Sequence, residues 1–120
     1  MCIRDSNGIR LKVSARAHLS EAVLAVGFAK SQDSIDHCLK LYQVYGNQAR
    51  KLRAMGSAAL DLAYVAAGRL DAYIEQGVNL WDIAAGIVLV EEAGGVVELE
   101  QKKGKYRVCA SSGRIDYPLK

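Results

Sequence analysis

The chain has 120 residues, and several things are scarce in it. A single proline, Pro118, and eleven glycines scattered along the chain exclude a proline- or glycine-rich linker. Three cysteines, Cys2, Cys38 and Cys109, stand 36 and 71 residues apart with no CxxC pair. An odd, dispersed set argues against a disulfide framework and a zinc site, and a reducing, cytoplasmic setting is the default. No apolar run approaches the ~20 residues needed to span a bilayer, so no membrane partner is expected. A net charge of +3, from 16 basic and 13 acidic side chains, is too small and too scattered to argue for a nucleic acid polymer as partner. The densest basic cluster, QKKGKYR from Gln101, reads as a solvated hairpin turn. Two histidines, His18 and His37, have no second ligand at metal spacing and read as solvent-facing or hydrogen-bonding side chains.

What is present is a core. The hydrophobic fraction of 51% and the charged fraction of 24% suit one soluble domain. The opening MCIRDS is unlike the rest of the chain and lacks a signal peptide's apolar segment. Residues 1–8 are therefore expected to be a non-native or disordered start, such as a tag or joining scar. Residues 9–120 form the domain, and its abrupt beginning inside a strand pattern points to a fragment.

Ile9, Leu11 and Val13 alternate with Arg10, Lys12 and Ser14, predicting a half-buried strand over residues 9–15. The continuous apolar run over residues 22–28 predicts a strand buried on both faces. Ser31 or Asp33 can cap a helix whose stripe is Ile35, Leu39, Leu41 or Tyr42, and Tyr45, ending at Gly46-Asn47. Residues 49–55 are assigned to a strand. Ser57 caps a second helix over residues 58–67, stopped by Gly68.

A strand over residues 70–76 then places Asp71, Tyr73 and Glu75 on one face. The main helix begins at Asn79 or Leu80. It carries no charge over residues 83–90, which predicts cover on all sides. Gly94-Gly95 stops it, and a hairpin turning at residues 102–105 closes the sheet. Strands alternating with helices imply an α/β layered fold with a mixed sheet.

Ligands in open α/β sheets collect beyond the carboxyl ends of strands, near helix N-termini. Glu75 closes one strand and Asp82 opens the following helix, while Gly56, Ser57 and Ala58 begin another, where free N–H groups favour anions. Donors and carboxylates together would suit a phosphate ester held by a hard cation. On spacing alone, however, Asp82 also reads as a first-turn acid stabilised by the helix dipole at ~0.3–1 kcal/mol. Glu75 also reads as a solvated strand-end charge, Ser57 as a plain N-cap, and Trp81 as packing or a lid.

The run WDIAAGIVLVEEAGG, residues 81–95, resembles the signature of the inositol monophosphatase family of Mg²⁺-dependent, lithium-sensitive sugar phosphatases. MGSAALDLAYVAAGRLDAYIEQG, residues 55–77, resembles the segment that precedes it there, and VLAVGFAKSQD and VCASSGRI are weaker counterparts. The resemblance implies the C-terminal half of the family's αβαβα fold. It implies Asp82 as a Mg²⁺ ligand, Glu75 as an acceptor for substrate hydroxyls, and Gly56, Ser57 and Ala58 as the lining of the same pocket. It also implies a small-molecule phosphate monoester as substrate and a homodimer in the full-length form. The family's Asp-Pro-x-Asp-Gly-Thr loop, a further metal-binding glutamate and a water-activating threonine have no counterpart here. The expectation is therefore a phosphatase portion that is inactive by itself. The rival expectation is a non-catalytic α/β module that binds a partner or completes another chain's site.

Overall fold

A computed structural model describes residues 5, 6, 9–29, 31–102 and 104–115. The expectation for the start therefore falls largely on residues outside the description, as does the tail with Pro118. Asp5–Ser6 (β1) and Ile9–Arg10 (β2) form a small antiparallel pair. A 3-10 turn at Leu19–Glu21 leads into Val23–Phe28 (β3). Then come Gln32–Tyr45 (α1), Lys51–Arg53 (β4), Ala58–Ala66 (α2), Ala72–Val78 (β5), Leu80–Glu92 (α3), Val96–Lys102 (β6) and Lys105–Ser111 (β7).

β5 lies at the middle of a five-stranded sheet in the order β4-β3-β5-β7-β6. It runs parallel to β3 and antiparallel to β7, so the sheet is mixed, as expected. Strand alternation divides two cores. Leu24, Val26, Ala72, Ile74 and Cys109 pack on Cys38, Leu41 and Tyr45 of α1. Ala25, Tyr73, Val108 and Ala110 pack on the other face, against Leu62 and Val65 of α2 and Ile83 and Val90 of α3. The apolar run of β3 follows from this cover on both faces. α2 and α3 touch closely because Gly86 has no side chain; a Cβ there would stand 2.6 Å from that of Leu62.

Three expectations are corrected. The strand over residues 9–15 is limited to Ile9–Arg10. Beyond it, the chain passes the end of α3, where Val13 N donates to Ala93 O at 3.3 Å. Leu11 and Val13 alternate because they reach the α2–α3 core, with no ladder beside them.

On α1 the buried row is Ser34, Cys38, Leu41 and Tyr45, and Leu39 is 57% exposed. Ser34 can be buried because its hydroxyl is fully engaged. It accepts from Ala29 N at 2.7 Å and donates to Gln76 O at 2.6 Å.

α3 is covered on one side only. Ile83, Gly86 and Val90 are buried, while Trp81, Ala84, Ala85 and Val88 form an exposed apolar row at helical spacing. Among the described residues, those packed against α3 come from α2, the sheet and the segment around Val13, which leaves its outer face bare. Contiguous apolar surface of this kind drives association. The chain is expected to self-associate in light-scattering chromatography, and Val88→Glu to reduce that. A monodisperse wild-type monomer would count against it.

The link into β5 is ionic. Leu70 and Asp71 precede the strand, and the Asp71 side chain is fully buried. Its carboxylate accepts from Arg16 Nε at 2.9 and 3.0 Å and from Val23 N at 2.8 Å. Arg16 also donates to Gly68 O at 3.1 Å, joining the segment before β3, the end of α2 and the entry to β5. Removing one partner of a buried pair costs about 3–5 kcal/mol, and the part-exposed Arg16 can rehydrate. Asp71→Ala is thus expected to destabilise by about 2–3 kcal/mol in chemical denaturation. A change below ~0.5 kcal/mol, the scale of a neutral surface substitution, would show that the tie is idle.

Candidate functional site

A cleft of about 800 Å³ opens at the carboxyl ends of β3 and β5. Its walls include Gly27 and Phe28 from β3, the turn and helix start at Gly56, Ser57 and Ala58, Glu75 from β5, Asp82 from α3, and Lys105 from the hairpin. Glu75, Asp82, Gly56, Ser57 and Ala58 thus line one cleft.

Each wall has a local cause. Ser57 is the N-cap of α2, its Oγ accepting from Leu60 N at 3.3 Å. The N–H groups of Ala58 and Ala59 at that helix start have no intrahelical acceptor, and both residues line the cleft. At the far end of β5 the ladder with β7 is irregular between Gln76 and Val78. Gly77 sits there at φ +91°, a conformation costly for any residue with a side chain. The strand resumes at Val78, paired with Tyr106, and the chain then enters α3. Asn79 occupies the cap position of α3 without capping it. Its Oδ1 accepts from Lys105 Nζ at 2.5 Å, and its Nδ2 stands 3.5 Å from Asp82 Oδ2.

Glu75 is the most constrained side chain. It pairs across the sheet with Gly27, and a Cβ on Gly27 would stand 2.8 Å from Glu75 Cδ. Tyr73, fully buried two residues earlier on the same face, donates its hydroxyl to Glu75 Oε1 at 2.5 Å. Burial raises the Glu75 pKa; the Tyr73 hydrogen bond opposes that shift and the Asp82 charge adds to it. Burial and then the nearby Glu75 push the Tyr73 hydroxyl well above its ordinary range.

Asp61 lies behind this pair, 1% exposed on α2, with no partner for its buried Oδ1. Its pKa is raised to about 6, chiefly by burial and then by the Glu75 charge. Gly27, Tyr73, Asp61 and Lys105 are site residues that sequence reasoning missed. Two left a signal: Asp61 is the one charge in the otherwise apolar run AALDLAYVA, and strand alternation puts Tyr73 on the face of Glu75. His37 lies away from the cleft, on α1, where its Nε2 stands 3.5 Å from Arg107 Nε.

Asp82 is exposed and Glu75 half-buried. Both could face a hard cation, but among the described residues no group of three or more His, Cys, Asp or Glu side chains could hold a metal. Among the described residues these two carboxylates therefore do not make up a metal site by themselves.

Residues 4–117 match the model of the inositol monophosphatase family. The chain belongs to that family. It is 48% identical over 94 residues to the Nus factor SuhB of Pseudomonas aeruginosa, covering 76% of this chain and 35% of that protein. It is 46% identical over 90 residues to an inositol-1-monophosphatase of Caulobacter vibrioides, covering 73% and 35%. Among solved structures, the inositol monophosphatase of Anabaena superposes with a TM-score of 0.82 at 38% identity, over 91% of this chain and 46% of that one. The chain thus spans about a third of the length of the curated relatives it matches. The match to the inositol monophosphatase family begins at residue 4, inside the stretch expected to be non-native.

The buried acids make the fold pH-dependent. The folded pKa of Asp61, about 6, lies above its ordinary 3.8, so the folded state binds the proton more tightly. The stability that this adds is full below the lower value and is lost as pH rises towards the higher one. Glu75 acts in the same direction. Thermal unfolding between pH 4 and 7.5 is expected to show Asp61→Asn gaining on the wild type as pH rises, with little difference at pH 4. Parallel curves would mean that Asp61 is not held neutral.

Proposed function

We propose that this chain is the C-terminal, substrate-facing portion of a Mg²⁺-dependent phosphatase acting on inositol monophosphate or a related sugar phosphate. The supporting observation is the convergence of Glu75, Asp82 and the α2 start on one cleft, in a member of the inositol monophosphatase family.

The roles follow from the chemistry of each group. Asp82 is the candidate metal ligand, because its carboxylate is exposed and only distantly approached, by Asn79 at 3.5 Å. Mg²⁺, when bound, supplies charge stabilisation at the leaving ester oxygen and a polarised water. Glu75 Oε1 is committed to Tyr73, so the other oxygen is the acceptor offered to a substrate hydroxyl. Tyr73 fixes the direction of that acceptor. The Ala58 and Ala59 N–H groups, with the Ser57 hydroxyl, offer donors to the ester's anionic oxygens, at the positive end of the α2 dipole. The proposed setting is reducing and cytoplasmic, with which the buried thiols of Cys38 and Cys109, neither in a disulfide, agree. The full-length form is proposed to be a homodimer.

The alternative is a non-catalytic module that binds a partner or completes another chain's site. Its support is the bare apolar row on α3, together with relatives named Nus factor SuhB.

Phosphate release from inositol 1-phosphate in Mg²⁺ tests the reading. The 120 residues alone are expected to release negligible phosphate. A family-length protein carrying this sequence should turn over, and Asp82→Asn in it should lower kcat at least ~100-fold, the scale for loss of a well-placed charge-stabilising group. Turnover by the short chain would overturn the fragment reading, and a silent long form would favour the binding module.

A further inference from the structure

The two carboxylates that line the cleft are directed in the same way. Glu75 Oε1 accepts from Tyr73, two residues before it, and Asp82 Oδ2 is faced by Asn79 Nδ2, three residues before it, at 3.5 Å. Asn79 is in an uncommon state for its position. It is the N-cap of α3, where an asparagine oxygen ordinarily accepts from the N–H of the second or third helical residue, here Trp81 or Asp82. No such bond forms. Asn79 Oδ1 accepts from Lys105 Nζ instead, which turns the amide nitrogen towards Asp82. The register of the sheet is the cause. The β5–β7 ladder shifts by one residue between Gln76 and Val78, so that Val78 pairs with Tyr106. One further step along that ladder sets Asn79 opposite Lys105; the unshifted ladder would set it opposite Gly104, which has no side chain to offer.

Lys105 is the sole lysine or arginine lining the large cleft among the described residues. The Asn79 amide therefore lies with its oxygen on a cation and its nitrogen towards an anion, the orientation that both charges favour. A charge-assisted hydrogen bond of this kind competes successfully with a neutral cap. We infer that Lys105 and Asn79 are positioning residues for Asp82: the lysine holds the Asn79 amide out of its capping position, and the amide directs the Asp82 carboxylate. At 3.5 Å the amide steers Oδ2 without committing it, so a ligand can still take either oxygen. What is inferred of the Asn79 side chain stands on geometry alone, and its consequence for turnover rests on the phosphatase reading.

Amide hydrogen exchange in this chain, followed by NMR, and phosphate release by a family-length protein carrying this sequence test the two parts separately. Lys105 is exposed, so Lys105→Met is expected to fold. In that variant Asn79 returns to its cap, and exchange of the Trp81 or Asp82 N–H is expected to slow about fivefold, the scale of one N-cap bond. A lysine that merely clamps the hairpin would leave those amides exchanging as fast or faster when removed. In the long form the same substitution is expected to lower kcat for inositol 1-phosphate about tenfold with KM within about twofold, the scale for losing a group that orients a metal ligand. Lys105→Arg keeps a donor and should recover most of the loss. Exchange that does not slow overturns the role of Lys105, and an unmoved kcat overturns the positioning of Asp82. A wild-type long form that releases no phosphate would overturn the phosphatase reading alone, with the exchange rates still deciding how Asn79 is held.

Discussion

The cleft depends on one close approach: the Glu75 carboxyl group lying over Gly27, with the Tyr73 hydroxyl behind it. A glutamate at the end of an interior strand would ordinarily extend into water and stay mobile. Here the missing side chain on β3 makes room for it, and a fully buried tyrosine fixes one of its oxygens. The cost is electrostatic, since burial disfavours the charged form and Asp82 and Asp61 stand nearby. What results is an acceptor whose direction is set before any substrate arrives, the kind of preorganisation that makes a polar contact selective.

Much of the architecture was legible because its causes are local. The apolar run at residues 22–28, the cap at Ser57 and the glycine pair at residues 94–95 each act within a few positions, and the corresponding elements lie close to where they were expected. The C-terminal hairpin is legible for the same reason. The missed features are set by distant partners. Nothing near Leu11 and Val13 in sequence says that their neighbours are α2 and α3 and not a second strand. Ser34 is polar, yet it is buried on α1 because Gln76 O, 42 residues away, accepts from it. Gly27 carries no sign that a carboxyl group rests on it. The metal and substrate roles rest on the long motif and not on periodicity, which left Asp82 more readily a dipole-stabilised acid than a ligand.

The bare face of α3 adjoins the carboxylates of the cleft. A helix apolar on all sides is selected for cover on all sides. Here α2 and the sheet cover one side, leaving Trp81 and Val88 to solvent. Asp82 stands next to Trp81, at the start of the same helix, so the uncovered row begins beside the candidate metal ligand. A structure that covered that row would stand next to the cleft mouth and could bring further oxygen ligands. The same surface could instead hold a partner, which is why the catalytic and binding readings share one feature.

Charge balance ties the cleft's stability to its chemistry. The Asp82 charge acts on Glu75 and the Glu75 charge on Asp61, and the lysine among the lining residues is engaged with Asn79. Such a site is held together by packing against its own electrostatics, with Asp61 and Glu75 both pushed towards their neutral forms. A divalent cation beside Asp82 would reverse the sign of that residue's influence on Glu75, favouring the carboxylate that a substrate hydroxyl needs. The acids that weaken the unliganded fold are therefore those whose interaction improves when a cation binds. Perturbed carboxyl groups of this kind cluster where a fold gives up stability for a functional site, and a purely structural core would avoid them.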